Sequence, residues 1–391
     1  MTKEFPINQN LTRVVPNIIR AYDDRFSQID DIIKLTIGEP DFNVPEVSKQ
    51  AVIDSVTADD SHYAPALGTI PLRHAISDFL LDRYDLNYSA EEEIIVTVGA
   101  TEAIYDTIAA FVNPGDKVLI PTPTFPLYES DTLIIGADPV LIDTEKDGFI
   151  LTADALRAVL DEYGDAAKVL VLNYPGNPTG RTYSADELKA LAEVLADTNI
   201  VVIADEIYSE LVYDEPHHSI AEYLPEQTLI LNGVSKSHAM TGYRLGFIAG
   251  PKPLIKGPAL VHQVAVTTTP NPMAAAATVA LGTPEGKAAT EEMKVAYKER
   301  RDYLVKSLHE LGFELENPEG AFYLFPRILP SYGNDDGQFA IDLAEEAHVA
   351  TVTGQAFGPG GEGHFRISYA SSLETLQEAV ARLTEFVNKH A

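Results

Sequence analysis

Residues 167–211 read "AKVLVLNYPGNPTGRTYSADELKALAEVLADTNIVVIADEIYSEL", and the fold can be worked out from this stretch. "AKVLVLNY" (Ala167–Tyr174) is an apolar run without polar alternation, the pattern of a strand buried on both faces. "SADELKALAEVLAD" follows, with Ser184 and Glu187 spaced as a capping box and Leu188, Leu191, Ala192 and Leu195 on one helical face. A second apolar run, "NIVVIAD" (Asn199–Asp205), closes the unit. Strand, helix and strand in this order predict an α/β fold with a mostly parallel sheet wrapped by helices.

Runs of the same kind occur at Glu93–Val98, Lys117–Pro121, Thr228–Gly233 and Arg244–Gly250. The pattern changes after about Leu281. "TPEGKAATEEMKVAYKERRDYLVKSLHELG" predicts a long helix, short strands are expected around "AFYLFP" and "HFRISYA", and a closing helix starts near Ser371 and Glu374. The division expected is a large domain over residues 51–282, a smaller α+β domain over 283–391, and an amino-terminal segment, 1–50, packed with the smaller one.

The chain's 391 residues are 45% apolar, enough for a sizeable core. Without cysteine it has no disulfide framework, thiolate nucleophile or cysteine-held zinc. The formal net charge of −31, from 59 acidic against 28 basic residues, opposes binding to nucleic acid or anionic lipid. No apolar run reaches signal-peptide or membrane-span length, so a cytoplasmic protein is expected.

Against that acidity, "SKSHAMTGYRLGF" (Ser235–Phe247) sets Lys236 and Arg244 eight residues apart. A lysine at a strand's end becomes a nucleophile when nearby positive charge lowers its pKa, and an arginine fork holds a phosphate. Three other stretches could serve the same ligand. In "TVGATEAIYDTIAAF" a helix starts directly after Gly99, which suits an anion, although small residues there are also common packing devices. "NYPGNPTG" (Asn173–Gly180) forces a turn where open sheets place ligands and could aim Asn177 inward, or it is simply an Asn-Pro turn. Asp205 ends an apolar strand and needs a cation or a protonated nitrogen unless it caps a turn, with Tyr208 three residues on. A phosphate, a ring nitrogen, a ring hydroxyl and an aldehyde together make pyridoxal 5′-phosphate.

"LTIGEPDF", "YAPALGTIPLR", "NYPGNPTG", "ADEIYSEL", "SKSHAMTGYRLGF" and "FRISYA" lie in the order and at the spacing of the class I/II pyridoxal-phosphate aminotransferases of fold type I. The chain resembles that family from about Leu11 to its end. Within the family it is similar both to bacterial aromatic amino acid aminotransferases and to N-acetyl-diaminopimelate aminotransferases. The resemblance implies a seven-stranded sheet in the large domain and a homodimer with a shared site. It also implies roles. Lys236 would bond the cofactor aldehyde and shuttle a proton. Asp205 would pair with the ring nitrogen, Tyr208 and Asn177 would reach the ring oxygen, and Phe125 would stack on the ring. Ala100, Thr101, Ser235 and Arg244 would hold the phosphate, joined by Tyr63 of the second subunit. Arg366 would grip the substrate α-carboxylate, helped by Asn177 and the backbone at Gly38. Gly233 stands where many relatives carry serine, which implies one phosphate hydroxyl fewer.

An aromatic donor and 2-oxoglutarate as acceptor are the expected substrates. N-acetyl-LL-diaminopimelate and aspartate are the alternatives, and a β-lyase or racemase on the same fold is the alternative of another class. A transcriptional regulator built on this domain is disfavoured by charge and by the absence of room for a DNA-binding module. An acidic substrate would need a further cation, for which Arg13 and Arg20 are candidates. The segment through Ile19 is expected over the cleft. "GPGGEG" (Gly358–Gly363) precedes a strand and is a loop rather than a dinucleotide fingerprint, and "GTPEGKA" has the wrong spacing for a phosphate loop. His217 and His218, beside a proline, read as a surface turn. No metal is expected.

Overall fold

The computed structural model describes residues 5–16 and 18–390. Its centre is a seven-stranded sheet, ordered in space Ile94–Thr97, Gly246–Ala249, Thr228–Gly233, Val201–Asp205, Ala167–Asn173, Lys117–Thr122 and Asp138–Asp143. Gly246–Ala249 runs antiparallel to both its neighbours, and the other pairs are parallel. The edge strand Asp138–Asp143 was not among the predicted runs. Pro139 interrupts its pattern, a residue that an edge tolerates because one row of its backbone groups needs no partner.

Alternate residues of each inner strand enter different cores, which is why those runs lack polar alternation. Val169 and Val171 join Ile203, Leu231 and Ile248 beneath the helices Gly99–Phe111 and Lys252–Ala265. Leu170 and Leu172 point the other way, into Leu188, Leu191 and Leu195 of the helix Ala185–Leu195. Each such aliphatic side chain contributes about 1.5–3 kcal/mol by leaving water. The predicted capping box is present: Ser184 N–H donates to Glu187 Oε2 at 2.8 Å, and Glu187 N–H donates back to Ser184 Oγ at 3.4 Å.

The later residues form a small antiparallel sheet of Val352–Thr353, Phe365–Ser368 and Tyr323–Leu324. The helices Pro284–Glu310, Asp336–Ala347 and Leu373–His390 bury their apolar stripes against it. The amino-terminal segment divides between the two bodies. Ile33–Lys34 pairs in parallel with Val349–Ala350. Further upstream, Asn10 Nδ2 donates to the Ile134 carbonyl at 3.1 Å and Arg13 reaches Asp138 at 2.8 Å, both on the large-sheet side.

Candidate active site

Five chain turns at the carboxyl ends of the sheet strands meet the small sheet around a cavity of about 450 Å³. Ala100, Thr101, Phe125, Asn177, Asp205, Tyr208, Ser235, Lys236, Arg244, Arg366 and Gly38 all line it. Position outside the strand ends is what the parallel topology favours for a ligand.

One end is a cradle for an anion. Gly99 begins its helix at φ +77°, and a Cβ there would stand 2.5 Å from Arg244 Nη2. A Cβ at Gly246 would stand 2.5 Å from the Ala100 nitrogen. Both glycines are therefore required for the close approach of backbone and guanidinium at this helix start, where the first N–H groups lack helical partners. Arg244, itself left-handed at φ 54°, donates to the Thr241 carbonyl at 2.8 Å and to Thr101 Oγ1 at 3.4 Å. Gly233 is a packing residue: a Cβ would meet the Leu245 carbonyl oxygen at 2.6 Å and Gly246 Cα at 2.8 Å. A serine has no space at this position.

Deeper in the cavity, Asp205 is buried. Its Oδ2 accepts the Tyr128 hydroxyl at 2.7 Å and its Oδ1 accepts Ile207 N–H at 3.2 Å, so it both caps the turn and faces the site. Burial pushes its pKa up to about 6, against the opposing pull of those two donors. A protonated ring nitrogen opposite it would restore the carboxylate.

Lys236 Nζ donates to the Gly38 carbonyl at 2.6 Å and lies 5.8 Å from the centroid of the Tyr208 ring. Burial is the main reason its pKa falls to about 8; Glu39 and Asp205 oppose this, while Arg366 and then Arg244 add to it. The charge expected from Arg244 alone thus comes from two arginines. Arg366 is fully buried and stacks its guanidinium 4.6 Å from the Tyr323 ring centroid and 5.1 Å from that of Phe357. It donates to Asn177 Oδ1 at 2.9 Å and to the Thr36 carbonyl, while its Nε has no partner. Among the described residues it pairs with no carboxylate, which leaves a buried cation facing the cavity.

Phe125 lies on the wall, edge-to-face with Tyr128 at 6.1 Å. Tyr63 is 88% exposed and outside the cavity of its own chain. Of the two candidate cations near the amino terminus, Arg20 lines the cavity with Ile19, Asp23 and Asp24, and Arg13 does not. The reading of His217 as a surface residue is corrected. Its side chain is buried, with Nε2 at 3.0 Å from Glu206 Oε2 and the ring stacked on Tyr174 at 5.5 Å, because the turn folds back over a buried carboxylate. Tyr128 and Tyr323 were not anticipated. Tyr128 follows Phe125 by three residues in "TFPLYE", a spacing that could have suggested a shared face; Tyr323 carries no local signal.

The anion cradle, the ring-nitrogen partner and an amine of lowered pKa fit pyridoxal 5′-phosphate by chemistry and by placement. Arg366 beside them suits a substrate that brings its own carboxylate, so the class defined is a pyridoxal-phosphate enzyme acting on amino acids. Comparison with known proteins narrows this. The chain belongs to aminotransferase class I and II, whose family model matches residues 30–383, and it is a pyridoxal-phosphate-dependent transaminase. It is 41% identical over 386 residues to a probable N-acetyl-LL-diaminopimelate aminotransferase of Bacillus subtilis (strain 168), covering 99% of this chain and 97% of that protein. An aspartate aminotransferase of Pyrococcus abyssi is 36% identical over 387 residues, with 98% of each chain covered. The crystal structure of an aromatic aminotransferase from Pyrococcus horikoshii matches with a TM-score of 0.88 at 36% identity, over 94% of this chain and 99% of that one.

Proposed function

We propose that the protein transfers the amino group of an aromatic L-amino acid to 2-oxoglutarate in two half-reactions at one site. The observation that carries the substrate reading is Arg366, a buried guanidinium that lines the cavity with Lys236 and pairs with no carboxylate among the described residues. It receives the α-carboxylate common to donor and acceptor and fixes the amino-bearing carbon near Nζ. When bound, the cofactor serves as the electron sink that makes that carbon's proton removable. Ala100, Thr101, Ser235 and Arg244 at the helix start opened by Gly99 would hold its phosphate, Asp205 would keep its ring nitrogen protonated, and Phe125 would pack on the ring. Tyr208 and Asn177 would donate toward the ring oxygen. Lys236 Nζ, an amine of lowered pKa in the same cavity, is the base that would take the α-proton and return it.

Ile19 and Ile37 in the cavity wall favour an apolar donor side chain, and Arg20, also in the lining, suits the distal carboxylate of 2-oxoglutarate. A second reading, N-acetyl-LL-diaminopimelate as donor, is favoured by that same mixed wall of Arg20, Asp23 and Asp24, and by the most similar of the relatives described above. Tyr63 completes the phosphate site from a second copy, making the working enzyme a homodimer with sites shared between subunits. The test is a ranking of kcat/KM for phenylalanine, tyrosine, aspartate and N-acetyl-LL-diaminopimelate with 2-oxoglutarate as acceptor. Aromatic donors leading by tenfold or more supports the first reading; the acetylated diacid leading replaces it with the second.

A further inference from the structure

One buried cluster lies outside the catalytic cavity. Glu102 and Asp106 occupy successive turns of the helix Gly99–Phe111, and His262 faces them from the helix Lys252–Ala265. One ligating atom from each lies within 4.8 Å of the others. His262 and Asp106 are fully buried. His262 Nδ1 is 2.7 Å from Glu102 Oε1 and 4.0 Å from Asp106 Oδ2. The arrangement is poorly matched as a simple ion pair. Both oxygens of Asp106 lack any hydrogen-bond partner, while His262 also meets the Ala66 backbone. Two carboxylates share one imidazole in a dry place, and an unpartnered buried carboxylate costs several kcal/mol.

We propose that Glu102, Asp106 and His262 form a binding site for a divalent transition-metal ion of the zinc or manganese type. Two carboxylates and one imidazole are the donor set such ions take. Tetrahedral zinc contacts of about 2.0–2.2 Å place ligand atoms about 3.3–3.6 Å apart, so Glu102 and His262 must part from 2.7 Å while Asp106 closes on His262 from 4.0 Å, shifts within reach of side-chain rotation. A 2+ ion is neutralised by the two carboxylates, leaving His262 uncharged and both Asp106 oxygens available. Glu102 is held for this task by its second oxygen, which accepts Val98 N–H. Its slightly exposed side chain gives the ion a route in. Glu102 directly follows Thr101 and Asp106 lies one turn further on; none of the three residues lines the substrate cavity, so the site is distinct from it while braced against the same helix start.

The test is calorimetric titration of Zn²⁺ into the cofactor-loaded enzyme, with Mn²⁺ followed separately by electron paramagnetic resonance. One saturable ion per chain is expected in the wild type, weakened more than about tenfold in Asp106→Asn and in His262→Gln. Glu102→Gln, whose amide oxygen still accepts Val98 N–H, serves as the variant of record if either of these fails to fold. The proposal is overturned if the wild type shows no saturable binding of either ion, the outcome for a cluster that merely shares a proton. It is equally overturned if folded variants bind as the wild type does, which would place the ion elsewhere.

Discussion

The Tyr208 and Tyr323 hydroxyls lie 2.7 Å apart, joining the turn after the central strand to the small antiparallel sheet. Tyr323 also carries the Arg366 guanidinium on its ring face. On the proposed roles, a single phenol therefore links Tyr208, placed for the cofactor ring, to Arg366, placed for the substrate carboxylate. Tyr323→Phe keeps the ring and removes the link. A neutral hydrogen bond of this kind contributes about 1 kcal/mol, so kcat/KM should fall roughly fivefold while KM for the α-carboxylate changes little. A fall of a hundredfold would mean that the hydroxyl itself handles a proton.

Lys236 should react as a free amine at unusually low pH. With its pKa near 8 rather than the ordinary 10.5, capture of pyridoxal phosphate by the apoprotein should speed up as pH rises through 8 and level off above 9. Arg366→Gln removes a cation that lowers this pKa and should move the midpoint upward. The linkage runs the same way. Between pH 8 and 10.5 the unfolded chain binds the extra proton, so apoprotein stability gains with pH across that window. Lys236→Met should be more stable than wild type at pH 7, by a margin that shrinks by pH 10. Denaturant titrations at the two pH values check this.

Arg366→Lys keeps the charge and loses the planar fork. Losing one charge-assisted hydrogen bond of the fork costs about 1.5–3 kcal/mol, a fall in kcat/KM of roughly tenfold to somewhat over a hundredfold. The loss should be shared by every donor and acceptor, since all present the same carboxylate. A loss confined to dicarboxylic substrates would show instead that Arg366 reads the side chain.

Gly233→Ser adds the hydroxyl that the family resemblance leads one to expect there and should be harmful here. Its Cβ would press on the backbone of Leu245 and Gly246 in the neighbouring strand. Overpacking of this sort costs about 1–3 kcal/mol, measurable as an earlier urea midpoint. Tighter cofactor retention without loss of stability would mean that the strand pair yields easily.

Much of this was legible locally. Thr228–Gly233 was predicted with its observed ends because the apolar run Leu229–Leu231 is closed by Asn232 and Gly233, and the Ser184 cap because both its partners lie within one turn. Gly99 and Asp205 could be placed because their roles are set by the strand or helix they terminate. Other features depend on distant partners. Tyr323 meets Tyr208 across 115 residues of sequence, and only the packing of the two bodies brings them together. His217 was misread for the same reason: its burial depends on Glu206, itself hidden behind the strand end. Asp138–Asp143 was lost to a proline that only an edge position excuses.

The most direct test of amino transfer at Lys236 and Arg366 is a single half-reaction. Cofactor-loaded enzyme is mixed with phenylalanine and no oxo acid, and the visible band of the bound cofactor is followed together with product. The account predicts that the band converts to that of the amine form and that one equivalent of phenylpyruvate appears per site, with no ammonia. Added 2-oxoglutarate should then restore the band. Continuous ammonia release with the band unchanged would contradict it and leave a lyase-type reaction in its place.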